Sequence, residues 1–211
     1  MAWLNELSIY SVLIPLIAGA INFKNIELNS KIIFTLVLLA SIPQLVTIFY
    51  SGQPTVFYNG YILVDALAWP CAFFLSSSSA VLRKVLLYLG GMNIITVILF
   101  FLLNGYLSRF YYELVCLNSM LQVIYVALYF YNLNNKDHYI NLKMLPVFWY
   151  CLGLLLYATC TFFVFLFYFK INKYYDRSSL NYLLRIHYFF NILMYIFFTV
   201  VLSIKHPVNV K

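Results

Sequence analysis

The chain has 211 residues, is 64% hydrophobic and only 9% charged, and has a mean hydropathy of +0.89 with a net charge of +7. Soluble domains carry roughly 25% charged residues, so this composition cannot furnish a water-facing surface and points to an all-α integral membrane protein. The basic residues are scattered between apolar runs, which speaks against a nucleic-acid surface and assigns them to fixing topology in the bilayer.

A membrane span needs about 20 apolar residues. Seven such runs follow one another at roughly 7–23, 31–50, 55–79, 85–104, 107–132, 144–170 and 179–204. The first, within MAWLNELSIYSVLIPLIAG, has no basic residue ahead of it, carries Glu6 and offers no convincing cleavage site, so it reads as a retained helix and not a signal peptide. The breaks are short: NFKNIELNSK, then SGQP with Pro54 at the first turn of the next helix, Arg83-Lys84, NGY, NLNNKDHYINLK and KINKYYDRSS. No loop has room for a soluble domain, so residues 1–211 read as one bundle of seven transmembrane helices. Cys71, Cys116, Cys151 and Cys160 fall inside apolar runs without a CxxC pair and read as buried, unpaired side chains.

With this order, eight basic residues (Lys24, Lys31, Arg83, Lys84, Lys136, Lys143, Lys205, Lys211) fall on one side of the membrane and five (Arg109, Lys170, Lys173, Arg177, Arg185) on the other. The excess predicts a bacterial inner-membrane protein with its N-terminus outside and its C-terminus in the cytoplasm.

The intramembrane polar residues then collect in the outer half. At 1.5 Å per residue, Asp65 lies roughly 15 Å down the third span, Asn118 roughly 16 Å down the fifth, and His187 and Asn191 roughly 12 and 18 Å down the seventh. Gln44 also falls in the outer half, Asn93 sits mid-membrane, and Glu113 and Arg185 are shallow enough to anchor at the interface. The polar residues also share faces: His187, Asn191 and Tyr195 on the seventh span; Tyr58, Tyr61, Asp65 and Trp69 on the third; Asn118, Gln122, Tyr125 and Tyr129 on the fifth; Trp149, Gly153 and Tyr157 on the sixth. Aimed inward, these stripes would line a small-molecule cavity. The same side chains could instead tie neighbouring helices together. Asp65 is the hardest to leave idle, because a carboxylate in lipid must pair or protonate; His187 or Arg185 is its expected partner.

Several chemistries are disfavoured. Of the three histidines only His187 lies in a span, with His138 in a loop and His206 at the inner end, so a zinc centre is not expected. The seventh span has lysine only at its inner end, Lys205, so a retinal Schiff base is not expected either. Residues 76–79, SSSS, read as a polar helix end and not as a nucleophile, and Gly90-Gly91 reads as a place of close helix approach or a bend. No motif implies a cofactor or metal.

PVFWYCLGLLLYATCTFFVFLF resembles an FW–G–LLY–F-F pattern at 148–166, and IHYFFNILMY an IH–NI–Y pattern at 186–195. Together with the opening LSIYSVLIPLIAGAINFKNIELNSKIIF, they make the chain similar to a family of uncharacterised seven-helix membrane proteins common in Bacteroidota. The resemblance implies the seven-helix fold and brings no activity with it. That family tends to carry glutamates in the second and third helices, where Gln44 and Asp65 stand here.

The residues thus lead to a receptor- or sensor-like membrane protein. A small molecule or lipid headgroup would contact Asp65, Asn118, His187, Asn191, Tyr61, Trp149 and Tyr195, and the signal would pass to a protein partner in the membrane or cytoplasm. The rival expectation is an accessory or effector subunit of a larger defence or secretion complex, with the polar residues serving helix packing. A lipid-directed enzyme using Asp65 and His187 as acid and base ranks third.

Overall fold

The computed structural model describes residues 3–49, 55–106, 109–134, 142–174 and 177–204. These hold eight α-helices and a short 3-10 turn at Leu142–Met144. The helices are α1 (Trp3–Ser11), α2 (Leu13–Asn22), α3 (Leu28–Phe49), α4 (Thr55–Ser76), α5 (Ala80–Asn104), α6 (Tyr112–Asn134), α7 (Pro146–Tyr174) and α8 (Arg177–Ser203). Counting α1 and α2 as one broken span, seven are long and apolar enough to cross a bilayer. Pro54, Lys136, His138, Lys205, His206 and Lys211 lie outside the described residues.

The break in the first span has a local cause. Pro15 has no N–H to give to the Ser11 carbonyl one turn earlier, and its ring crowds that carbonyl. The helix accordingly breaks at Val12, and Leu16 N–H donates to Val12 O over a long 3.4 Å. The span also starts at Trp3 and not near residue 7.

The break expected at Arg83-Lys84 lies a turn earlier. Ser79 caps α5, its Oγ accepting from Leu82 N–H at 3.3 Å, while Arg83 Nε–H reaches back to Ser77 O at 2.8 Å. The serine run is thus cap and turn. On the opposite side, α5 ends at Gly105, whose φ of 78° places it where a side chain would be strained, and whose N–H donates to Phe101 O at 2.9 Å. The fifth span then begins at Tyr112, later than the expected 107, and the described residues just ahead of it are tied to neighbouring backbone. Asn59, fully buried on α4, donates to the carbonyls of Tyr106 (2.6 Å) and Arg109 (3.0 Å). Tyr106 donates to Val56 O at 2.7 Å, and burial pushes its phenol above the ordinary range. Arg109 pairs with Glu113 at 2.6 Å on the exposed first turn of α6.

Helix contacts close six spans into a ring. In order around it stand α1/α2, α3, α4, α6, α7 and α8, with α8 returning to pack on α1 and α2. The fourth span, α5, lies outside against α4 and α6. Only one stripe of it is buried (Leu82, Leu86, Gly90, Asn93, Val97, Phe101). The rest faces outward, with Tyr88, Leu102 and Leu103 each more than 70% exposed, as suits lipid. Gly90 allows this packing: a Cβ there would come within 2.6 Å of Pro70 on α4.

Candidate functional site

The site is built on α4, where Tyr58, Tyr61, Asp65 and Trp69 recur at intervals of three and four residues and so share a face. Trp69, one turn beyond Asp65, donates its indole Nε1–H to Asp65 Oδ1 at 2.6 Å. The neighbouring face of α6 brings two amides. Gln122 Nε2–H donates to Asp65 Oδ2 at 2.7 Å. Asn118 Nδ2–H donates to Ile62 O at 3.0 Å and lies 3.4 Å from Asp65 Oδ2. Behind it, Asn93 of the outer helix α5 donates to Asn118 Oδ1 at 2.9 Å. The expected partner for Asp65, His187 or Arg185, is therefore corrected: the carboxylate is held by three neutral donors. Its own i+4 residue and the adjacent α6 are within reach. His187 sits across the ring on α8, and the Arg185 guanidinium lies 4.7 Å from the Tyr182 ring on its own helix.

The second cluster hangs on α8. Asn191 Nδ2–H donates to Ser8 Oγ of α1 at 2.9 Å, and Gln44 Nε2–H of α3 donates to Tyr195 OH at 2.8 Å. His187 Nδ1 lies 3.2 Å from Thr161 Oγ1 of α7, with its ring centroid 5.5 Å from that of Tyr157 and 5.3 Å from that of Phe165.

Between the two clusters lies a cavity of about 230 Å³. Its walls come from α1, α3, α4, α6, α7 and α8, the helices of the ring, and from Phe110; α2 and α5 contribute nothing. The lining residues fall near the start of the first span, in the first half of α6, from the start of α4 past its middle, and along the middle of α3, α7 and α8. In an up-and-down bundle this places the cavity from the middle of the bundle toward the face that carries the N-terminus.

Six of the seven expected contact residues (Tyr61, Asp65, Asn118, His187, Asn191, Tyr195) line this one cavity. Trp149 does not. It stacks on Phe197 with centroids 6.1 Å apart, outside the cavity, because Gly153 accommodates that phenylalanine. The inward row of α7 instead runs through Tyr150, Leu154, Tyr157 and Thr161. Not anticipated were Asn5, Ser8, Thr161 and Ser119, all on the wall. Asn5, Ser8 and Ser11 recur every three residues in the first span, a polar row that could have marked α1 as a contributor. Thr161 follows Tyr157 by one turn.

Among the described residues Asp65 is the only acid on the wall, and no Lys or Arg lines it. Two buried polar atoms of α6, Oε1 of the lining residue Gln122 and the hydroxyl of Tyr125 beyond the wall, have no hydrogen-bond partner. Among the described residues no group of three His, Cys, Asp or Glu could hold a metal ion.

Compared with family models, curated proteins and solved structures, the chain matches none of them.

Proposed function

We propose that this chain is a receptor- or sensor-like protein of a bacterial inner membrane, with its N-terminus outside. It takes a small molecule or lipid headgroup in the cavity of the N-terminal half and signals through a protein partner. One observation carries the reading: side chains from six helices of the ring converge on a single cavity, with a carboxylate, amides and an imidazole on otherwise apolar, aromatic walls. Because the walls belong to every helix of the ring, a ligand favouring one arrangement of those helices would shift the population of the whole bundle. The eight-to-five distribution of basic residues supports the orientation.

The test is thermal unfolding of the protein in nanodiscs, screened against small molecules and lipids. A compound that stabilises the wild type should lose its effect in Asp65→Asn and His187→Ala while both variants fold. Unchanged stabilisation in both variants removes the pocket reading.

A second reading has its own support. Asn191, Tyr195, Gln44, Asn118 and Asn93 all spend hydrogen bonds on neighbouring helices, as polar groups do when they only pack a bundle. An accessory or effector subunit, with its function in assembly, would use them so. Copurification of a stable partner together with an inert cavity favours that reading.

A further inference from the structure

We infer that the occupant of the cavity is a small organic ammonium, seated with its charge on Asp65 and its apolar part against the aromatic wall; the inference rests on the pocket reading above.

The first support is the charge at the site. Two of the three donors to Asp65 are fixed as donors by chemistry. An indole N–H can only donate, and the Asn118 amide must turn its NH₂ toward Ile62 because a backbone carbonyl can only accept. Both carboxylate oxygens therefore receive hydrogen bonds, the setting that favours the ionised form. Three neutral donors do not cancel a charge, however, and among the described residues no Lys or Arg lines the cavity. An unpaired carboxylate inside the bundle is costly unless it takes up a proton, and a ligand cation is the partner that would remove the cost while the carboxylate stays ionised. An anionic ligand would meet repulsion, and a neutral one would leave the charge as it was.

The second support is the remaining capacity of the carboxylate. An ionised carboxylate has about four acceptor sites. Oδ2 faces Gln122 and Asn118, whereas Oδ1 receives only Trp69. One site on Oδ1 is left for an incoming N–H.

The third support is the wall. Tyr61, Trp69, Tyr157, Tyr195 and Phe198 all face the same space. Aromatic faces attract cations, most strongly where water is excluded, and they hold the apolar remainder of an amine equally well. An ammonium on a short apolar group matches both features at once.

The shared chemistry, an alkylammonium, could come from a free amine or from the headgroup of phosphatidylethanolamine, and the experiment separates the two. Wild type and Asp65→Asn are placed in phosphatidylglycerol nanodiscs and titrated with benzylamine, benzyl alcohol and benzoate, following tryptophan fluorescence and unfolding temperature. Benzylamine should bind wild type about tenfold or more tightly than benzyl alcohol. The Asp65→Asn variant should lose that preference and leave the alcohol unchanged. The same titration in discs containing phosphatidylethanolamine names the source: weaker apparent binding of benzylamine marks the headgroup as occupant, and unchanged binding marks a free amine. Equal affinity for amine and alcohol in wild type overturns the ammonium assignment and leaves the pocket standing. No response to any of the three probes up to millimolar concentration overturns both. The wild-type comparison decides the matter even if Asp65→Asn does not fold.

Discussion

The two halves of the bundle are built from the same helices and the same inward faces, yet one encloses a cavity and the other is solid. On α6 the face runs Asn118, Gln122, Tyr125, Tyr129. The first two border the cavity, and the last two pack against Phe73 of α4 with ring centroids 6.0 Å away in each case. On α8, His187, Asn191, Tyr195 and Phe198 border the cavity and give way to Val201 and Leu202, the last two with no exposure. On α7, Leu154, Tyr157 and Thr161 stand at the cavity while Tyr150 and Cys151 are fully packed. Helix geometry is therefore not what opens the cavity. The interior side chains of one half are tied back by hydrogen bonds to neighbouring helices, and in the other half they interlock as rings and aliphatics. Stability should reside in the solid half and selectivity in the hollow one.

The largest effect expected from this contrast is on Phe73→Ala. Core Phe→Ala changes in soluble proteins cost about 3–5 kcal/mol; lipid is as apolar as the interior, so only packing and cavity terms survive, and the loss should fall near the lower end, about 3 kcal/mol, in reversible denaturant-induced unfolding. A loss below about 1 kcal/mol would mean the solid half is not what holds the bundle. Next comes a neighbouring pair on the outer helix. Gly90→Ala forces a methyl against Pro70 and should destabilise by about 1–3 kcal/mol. Gly91→Ala, with nothing within 4 Å of its Cβ position, should gain up to about 1 kcal/mol from helix propensity. The same assay reads both, and equal effects would place α5 elsewhere.

In the hollow half the sign should reverse. Asp65→Asn removes an unpaired charge from inside the bundle and should leave stability unchanged or raise it by about 1 kcal/mol, even as it abolishes the preference for an amine. Marked destabilisation would make Asp65 a structural residue. Smallest are Asn191→Ala and Tyr195→Phe, which each remove one interhelical hydrogen bond and should cost about 0.6 kcal/mol. Double-mutant cycles with Ser8→Ala and Gln44→Leu would isolate those two bonds.

Much of this architecture was legible in the amino-acid order. Twenty-residue apolar runs and short polar breaks leave little choice but seven spans, and residues four apart on one helix had to share a face. Places where backbone chemistry competes with hydropathy were less legible. Apolar residues flank Val12 on both sides with only isolated serines between them, so hydropathy is blind to the break at Val12, although Pro15 is its cause. Trp149 shows a second limit. A row of i+4 steps turns about 40° per step, so Trp149 stands about 80° from Tyr157, enough to leave the interior, whereas alternating steps of four and three through Tyr150, Leu154, Tyr157 and Thr161 stay aligned. The partner of Asp65 was missed because opposite charge was sought across the bundle while Trp69 waited one turn away on the same stripe. Whether a shared face is filled or hollow depends on how opposing side chains interlock, and no single helix records that.

The closed ring has a consequence for how the protein comes into being. Its seam lies between α8 and the first span, the earliest and latest segments of the ring to emerge in synthesis. Partners such as α4 and α5, or α6 and α7, can meet as soon as each is made. Ser8 waits for Asn191, Gln44 for Tyr195 and Thr161 for His187, across separations of up to 183 residues. Until α8 enters the membrane the cavity lacks a wall, so the cavity is the last part of the ring to close, and a nascent bundle stalled before that helix would be assembled in large part with the cavity still open.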